Sequence, residues 1–349
     1  MSKQIDESQV YEMLESVEDP ALQTDIVSAG LVDDVTVTDD EVAVSLVLGA
    51  PYSPDETDIG ERVRTVLSEA GLEPHIDPVS NPPLTPDIDI VDGVTNVIAV
   101  ASGKGGVGKS TVATNIAAAL ADSGARVGLF DSDVYGPNVP EMLDADEPVH
   151  VTDDDQYEPP EKFGMKLMSV AFLSGDTDPV IWRGAMVNKV LLQLWEKVAW
   201  GELDYMVVDL PPGTGDAQLT MLQSVPVTGA LIVTTPQSVA VGDARRQLEM
   251  FEEHDTEILG VVENMSTFVC SECETEHDIF DTGGGKEIAA QAGVQFLGAV
   301  PLDPQIRAQS DAGVPVVRDG DSPATGSFQS IAESVTNRLG YLHRAAAQE

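Results

Sequence analysis

The sequence predicts an α/β protein: a doubly wound, mostly parallel sheet with a smaller α/β domain ahead of it. Three observations lead there. From about Thr95 onward, short continuous apolar runs alternate with helix-forming stretches, the pattern of parallel strands buried on both faces. One of these runs, Asn96-Val97-Ile98-Ala99-Val100-Ala101, meets a glycine-rich segment that opens into the helical stretch Val112 to Leu120. Ahead of both, Pro78, Pro82, Pro83 and Pro86 form a stiff connector. The expected organisation is a small domain over 1–80, a proline-rich linker over 81–94 and a large domain over 95–349.

In the small domain, a helix is expected from Ser8 to Val17. Alternating apolar residues follow at Val35-Thr36-Val37 and from Val42 to Leu48. A second helix should span Asp55 to Ala70 and stop at Gly71. In the large domain the strands expected after the first are Val127-Gly128-Leu129-Phe130, Tyr205-Met206-Val207-Val208, Ala230-Leu231-Ile232-Val233 and Ile258 to Val262. Right-handed crossovers between such strands put a ligand at their carboxyl ends. No internal repeat is present, and Asp153-Asp154-Asp155 reads as a solvated charge run.

The segment Gly103-Lys104-Gly105-Gly106-Val107-Gly108-Lys109-Ser110-Thr111 fits the phosphate-loop pattern G-x-x-x-x-G-K-[ST] at every required position. Its setting between strand and helix is the one that P-loop NTPases use. Glycines let backbone N–H groups turn toward phosphate oxygens, and the helix N-terminus adds partial positive charge. Lys109 should reach the β- and γ-phosphates of ATP, and Ser110 should offer its hydroxyl oxygen to Mg2+. Hydrolysis needs a cradle, Mg2+ and a group that places water. Asp209 ends the strand Tyr205 to Val208, where a carboxylate binds Mg2+, through water. Asp209-Leu210-Pro211-Pro212-Gly213-Thr214-Gly215-Asp216 then reads as a switch loop. Asp131 and Asp133 follow another strand and suit metal and water management, Asp131 in the Mg2+ shell. Asn264 follows the strand that ends near Val262; its amide either pairs with the adenine edge or caps the next turn.

The chain carries 60 acidic and 18 basic residues, a formal charge of −42. The acidity covers both ends and the middle. Such a surface repels nucleic acid and anionic membranes, so neither is an expected partner. It has the diffuse acidity of salt-adapted, halophilic proteins, in which salt screens the mutual repulsion. With 42% hydrophobic residues the chain can still bury a sizeable core. No apolar run is long enough to span a membrane. The stretch Met1 to Glu7 lacks the basic-then-apolar profile of a signal peptide, so a cytoplasmic location is expected.

The two cysteines are the second chemically loaded feature. Cys270-Ser271-Glu272-Cys273 can hold one side of a metal centre. A four-thiolate site needs two more thiolates, which a two-fold homodimer supplies. A [4Fe–4S] cluster or a zinc ion across the interface satisfies this count. His277 leaves open a three-ligand zinc site within one subunit, and a redox dithiol is a third reading. Glu272, Glu274 and Glu276 should disfavour free thiolates.

Lys104 is a second lysine inside the loop, in a chain with only eight. The loop Gly-Lys-Gly-Gly-Val-Gly-Lys resembles that of the deviant Walker-A ATPases, the class of MinD, ParA, the nitrogenase iron protein and the Mrp-type carriers. The resemblance implies that Lys104 reaches across a dimer interface to the partner's nucleotide, and that Asp133 orients the attacking water. Trp182-Arg183-Gly184, Trp200 to Tyr205, Asp209 to Asp216, Gln218-Leu219-Thr220 and Val262-Glu263-Asn264-Met265-Ser266 are similar to the Mrp/Nbp-type iron–sulfur carrier ATPases. So are the Cys270–Cys273 pair, His277, Phe280 and Gly283-Gly284-Gly285. These stretches span roughly 95–320. That family implies a homodimer with a [4Fe–4S] cluster between the two cysteine pairs, passed from cluster donors to client apoproteins, with ATP controlling dimer shape.

The N-terminal domain is similar to the small domain of iron–sulfur assembly factors, on Val17-Glu18-Asp19-Pro20 and Asp25 to Val32. That family often carries a cysteine in a proline-containing loop after the second strand. Here the loop reads Gly49-Ala50-Pro51-Tyr52-Ser53-Pro54, which leaves the domain a docking role. Two other readings compete for the whole chain. A MinD/ParA-like positioning ATPase needs a basic C-terminal helix or a basic DNA surface, and this chain has neither. A zinc-bridged dimeric adaptor would hold ATP without turnover, which the presence of Asp133 and Asp209 argues against.

Overall fold

A computed structural model of the chain describes residues 5–38, 41–79, 93–173, 185–270, 273, 275–318, 320 and 322–346. The chain divides into two units, Met1–Leu84 with Thr336–Glu349, and Thr85–Val335. Pro82, Pro83, Pro86 and Trp182-Arg183-Gly184 lie outside the described residues, as do Ser271, Glu272 and Glu274.

In the first unit, α1 (Glu7–Leu14) begins at a reciprocal cap: Gln9 N–H donates to the Asp6 carboxylate at 3.0 Å, and Asp6 N–H donates to the Gln9 side chain at 3.2 Å. The helix stops earlier than its sequence suggests. The Ser16 hydroxyl and amide both turn back to Met13 O and close the chain on itself. β1 (Val32–Thr38) and β2 (Glu41–Val47) pair antiparallel, and α2 (Pro54–Glu69) starts at the Ser53 cap and is followed by Gly71 at φ +82°. β3 (Glu73–Val79) pairs parallel with β2 and holds both Pro74 and Pro78. Pro78 therefore belongs to a strand and not to the connector. The sheet order β1-β2-β3 puts this strand at an edge, where a missing N–H is tolerated. Val10, Leu14, Val44, Leu46, Ile59, Val63 and Leu67 fill the core of this unit.

The C-terminal residues add a buried charge to it. Arg344 is fully buried and forms ion pairs with Asp19 at 2.5 Å and Glu56 at 2.9 Å. Glu56 also accepts hydrogen bonds from Gly49 N–H (3.2 Å) and Ala50 N–H (3.0 Å), so one carboxylate fixes the loop after β2. Burial pushes the Glu56 carboxyl up, and Arg344 pulls it back. Next to it, burial and then the Arg344 charge push the His343 imidazole from its ordinary 6.5 down to about 4. The unfolded chain then takes up this proton first as pH falls below 6.5. The folded state loses ground until about pH 4, where its own imidazole protonates; the cost reaches about 3 kcal/mol. We expect His343→Leu to remove this component. The variant should gain about 3 kcal/mol on the wild type between pH 7 and pH 4, with no change in the difference above pH 7. Parallel pH profiles in denaturant titrations would contradict this.

The second unit is built on β4 (Val94–Ala101), α3 (Lys109–Asp122), β5 (Val127–Asp131) and the short α4 (Val139–Met142). A small antiparallel pair, β6 (His150–Val151) and β7 (Tyr157–Glu158), precedes β8 (Glu161–Lys162) and β9 (Met165–Ser169). Then come α5 (Ala185–Lys197), β10 (Leu203–Asp209), α6 (Asp216–Ser224), β11 (Gly229–Thr234), α7 (Ser238–Glu253) and β12 (Ile258–Glu263). The remaining elements are the hairpin β13 (Phe268–Val269) and β14 (Glu276–His277), α8 (Gly284–Ala292), β15 (Phe296–Ala299) and α9 (Pro304–Asp311). The last helix, α10 (Pro323–Ala346), belongs to this unit as far as Val335.

The eight-stranded sheet has the order β15-β12-β11-β4-β10-β5-β9-β8 and is parallel except for the β8–β9 pair. Every residue of β5, β10 and β11 is buried, which is why these strands read as continuous apolar runs. Phe130, Trp195 and Trp200 pack together at ring separations of 5.9 and 6.4 Å in the core against the sheet. Strands added after β5 and after β10 extend the sheet in opposite directions. The crevice at the carboxyl ends of β4 and β10 is therefore the natural ligand position.

Candidate functional site

The phosphate loop leaves β4 at Ser102 and enters α3 at Lys109. Its backbone is shaped by close neighbours. A Cβ on Gly103 would lie 2.3 Å from the Asp243 backbone, and Gly108 combines φ +82° with the Asn264 amide 2.1 Å from where a Cβ would sit. Only glycine fits either position. The loop borders a cleft of about 590 Å3, lined among others by Gly105, Gly106, Lys109, Ser110, Thr111 and Asp133. That volume suits a nucleotide-sized ligand.

Three side chains converge at its floor. The Lys109 ammonium lies 2.5 Å from one Asp209 oxygen, and the Ser110 hydroxyl donates to the other at 2.6 Å. Asp209 is fully buried and Lys109 nearly so. A hydroxyl and a carboxylate at this separation are a hard-oxygen donor set that fits Mg2+. The switch loop joins the phosphate loop through Gly213 N–H to Ser102 O at 2.8 Å.

Asp133 lines the cleft, and its carboxylate accepts from the N–H groups of Tyr135 and Gly136, both at 3.2 Å. Burial pushes its pKa up, and the Lys109 charge opposes that. Asp131 sits opposite Asp209 in the strand register, and both are fully buried. Its oxygens accept from Asp133 N–H (3.1 Å), Val139 N–H (3.2 Å) and the Ser169 hydroxyl (3.3 Å). Burial and then the Asp209 charge raise its pKa to about 7. These bonds make Asp131 a holder of the loop carrying Asp133, and they place it beside the Asp209 carboxylate.

Asn264 meets the phosphate loop. Its side-chain N–H donates to Val107 O at 2.9 Å, so the amide braces the phosphate loop. Val107 and Asn264 are both buried. Lys104 is half-buried, and among the described residues its ammonium has no ion-pair partner. Ser132 was not anticipated; its hydroxyl donates to Asp209 O at 2.8 Å and ties the two strand ends together. No motif marks it beyond its place between the two aspartates.

The cysteines sit at the turn of the β13–β14 hairpin, Cys270 half-buried and Cys273 exposed. Cys270 N–H donates to Thr275 O at 3.0 Å, and the Cys273 sulfur lies 3.3 Å from the Thr275 hydroxyl. Hydrogen bonding by Thr275, and then Cys270, holds the Cys273 thiol below its ordinary pKa. His277 is directed to Phe268, with ring centroids 6.4 Å apart. Among the described residues no three His, Cys, Asp or Glu side chains converge as a metal site. Among them, too, no helix is long and apolar enough to cross a membrane.

Comparison with known proteins places this arrangement. The profile of the NUBPL iron-transfer P-loop NTPases matches residues 93–336, and that of the iron–sulfur cluster assembly protein domain matches residues 7–73. An iron–sulfur cluster carrier protein of Synechocystis sp. is 42% identical over 341 residues, 95% of this chain and 97% of the relative. The iron–sulfur cluster transfer protein NUBPL of Dictyostelium discoideum is 47% identical over 252 residues, 71% of this chain and 78% of the relative. Among solved structures, an ADP complex of the nucleotide-binding protein from Archaeoglobus fulgidus, in which cobalt was found, superposes with a TM-score of 0.60. It is 36% identical and covers 68% of this chain and 92% of its own. The cell division ATPase MinD of Pyrococcus furiosus, 24% identical with a TM-score of 0.54 over 69% of this chain and 98% of its own, shares the fold. The family profile over 93–336 and relatives of 42% and 47% identity show that the chain belongs to the NUBPL iron-transfer P-loop NTPase family.

Proposed function

We propose that this protein is an ATP-binding and ATP-hydrolysing carrier that takes a [4Fe–4S] cluster as cargo between two copies of the chain and delivers it to apoproteins. The observation that carries the reading is the exposed Cys270–Cys273 turn on the same unit as the phosphate cleft, two thiols per chain with no third ligand converging among the described residues. Two chains related by a two-fold axis supply four thiolates, the number such a cluster needs. Relatives named as iron–sulfur cluster carrier and transfer proteins support the cargo. The ADP complex of the Archaeoglobus protein supports the nucleotide.

In this reading the glycines of 103–108 and the N–H groups of Lys109, Ser110 and Thr111 cradle the phosphates. Lys109 moves from Asp209 toward the β- and γ-phosphates, and Ser110 and Asp209 hold Mg2+, which neutralises charge on the phosphates. Asp133 orients the attacking water. Lys104 supplies a cation to the nucleotide of the partner subunit.

Iron and sulfide analysis of anaerobically reconstituted protein, beside Cys270→Ser/Cys273→Ser, tests the cargo. We expect about four iron and four sulfide per dimer in the wild type and none in the variant. Zinc without sulfide would replace the carrier reading with the metal-bridged adaptor.

A further inference from the structure

The cysteine turn lies on an excursion of the chain that leaves β12 and returns to it, and both ends of that excursion are fastened at one place. At the departing end, Asn264 donates to Val107 O and its amide lies against Gly108, so it rests on the phosphate loop. At the returning end, Glu263, the residue before it, takes hold of the chain. Its two carboxylate oxygens accept from Gly283 N–H at 3.0 Å and Gly285 N–H at 2.7 Å. Glu263 is 1% exposed, and no cation pairs with it among the described residues. Its carboxylate therefore caps α8 from outside, a helix whose own N-cap residue, Gly283, offers no side chain.

Each of the three glycines is constrained, and Gly285 by the Glu263 contact itself. Gly283 has φ +82°. A Cβ on Gly285 would lie 2.9 Å from the Glu263 Cβ, and one on Gly284 would lie 2.9 Å from Pro236 O. Met265, on the departing side, is held at φ +54°. An excursion of 265–282 closed this tightly at its base cannot shift its base without moving Glu263 or Asn264, and Asn264 cannot shift without moving the phosphate loop.

We propose that Glu263 and Asn264 form a rigid base that links the phosphate loop to the cysteine turn, so that nucleotide in the cleft sets the placement of Cys270 and Cys273. Glu263 is a positioning residue in this device: it touches neither the cleft nor the sulfurs. The proposal rests on the carrier reading for its purpose but not for its test. Linkage requires that nucleotide and thiolate-bound metal alter each other's affinity by the same factor.

The affinity for Mg2+–ADP is measured with and without saturating Co2+ on the cysteines, in the wild type and in Glu263→Gln. We expect a ratio of about five-fold or more in the wild type, falling to near one in the variant while ADP still binds. A wild-type ratio of one, or an unchanged ratio in the variant, overturns the proposal. Hydrogen exchange gives a readout independent of metal. ADP should slow exchange at Gly283 and Gly285 in the wild type and not in Glu263→Gln; equal protection in both also overturns it. If Glu263→Gln does not fold, Gly285→Ala displaces the same contact with the charge intact and is held to the same outcomes. Loss of the iron–sulfur reading leaves the exchange experiment standing, so the two failures are distinguishable.

Discussion

Asp133→Ala should bind ATP within a few-fold of the wild type and hydrolyse it about 10²–10³-fold more slowly, a loss of about 3–4 kcal/mol in transition-state stabilisation. The expected phosphate cradle is the loop at 103–111, and Asp133 lines the same cleft. Its carboxylate accepts from two backbone N–H groups, which leaves lone pairs to orient a water. Burial raises its pKa toward the range in which a carboxylate is an effective base. Asp133→Asn keeps the acceptor for Tyr135 and Gly136 but not the charge, so a loss of similar size would assign the effect to the carboxylate and not to loop disorder. Unchanged steady-state phosphate release in Asp133→Ala would remove the residue from the mechanism.

The largest effect on stability is expected at Asp209. Its two oxygens receive the Lys109 ammonium and the Ser110 hydroxyl, and Ser132 holds its backbone carbonyl. Asp209→Ala leaves a nearly buried ammonium without its counter-charge, which costs about 3–5 kcal/mol for a buried pair. The lower end applies, because Lys109 borders the open cleft. Thermal unfolding should shift down by on the order of 10 °C. Mg2+-dependent nucleotide affinity should fall with it. The double variant Asp209→Ala/Lys109→Met removes both charges and should recover most of the lost melting temperature while remaining unable to bind ATP. A melting temperature unaffected by Asp209→Ala would mean that the ion pair contributes nothing to the fold.

These two aspartates were legible in the sequence because Asp209 ends an apolar strand and Asp133 lies two residues past another, at the carboxyl edge of a parallel sheet, a place the topology reserves for ligands. Asp131 shares that signal, and its oxygens also hold the backbone that follows. Which way a strand-end carboxylate turns depends on the N–H groups that reach it from Asp133 and Val139, and no spacing rule encodes that. Glu263 was equally visible as a lone carboxylate ending the run Ile258 to Val262. Its purpose was not, because its partners lie twenty residues and more further on.

The sequence by itself determined the parallel sheet, the phosphate loop, the strand-end acids and the cysteine pair. All four are carried by local pattern: the period of apolar residues, glycines where the backbone turns tightly, and short fixed spacings. The tertiary structure alone decided the burial of Arg344 against Asp19 and Glu56, the strand that contains Pro78, the hold of Asp131 on the Asp133 and Val139 N–H groups and the closure of the cysteine excursion on Glu263. Each of these joins residues distant in the chain or depends on which neighbour satisfies a buried polar group. Such pairings are fixed by the cost of leaving a charge or an N–H unsatisfied in the folded interior, and that cost exists only once the interior has formed.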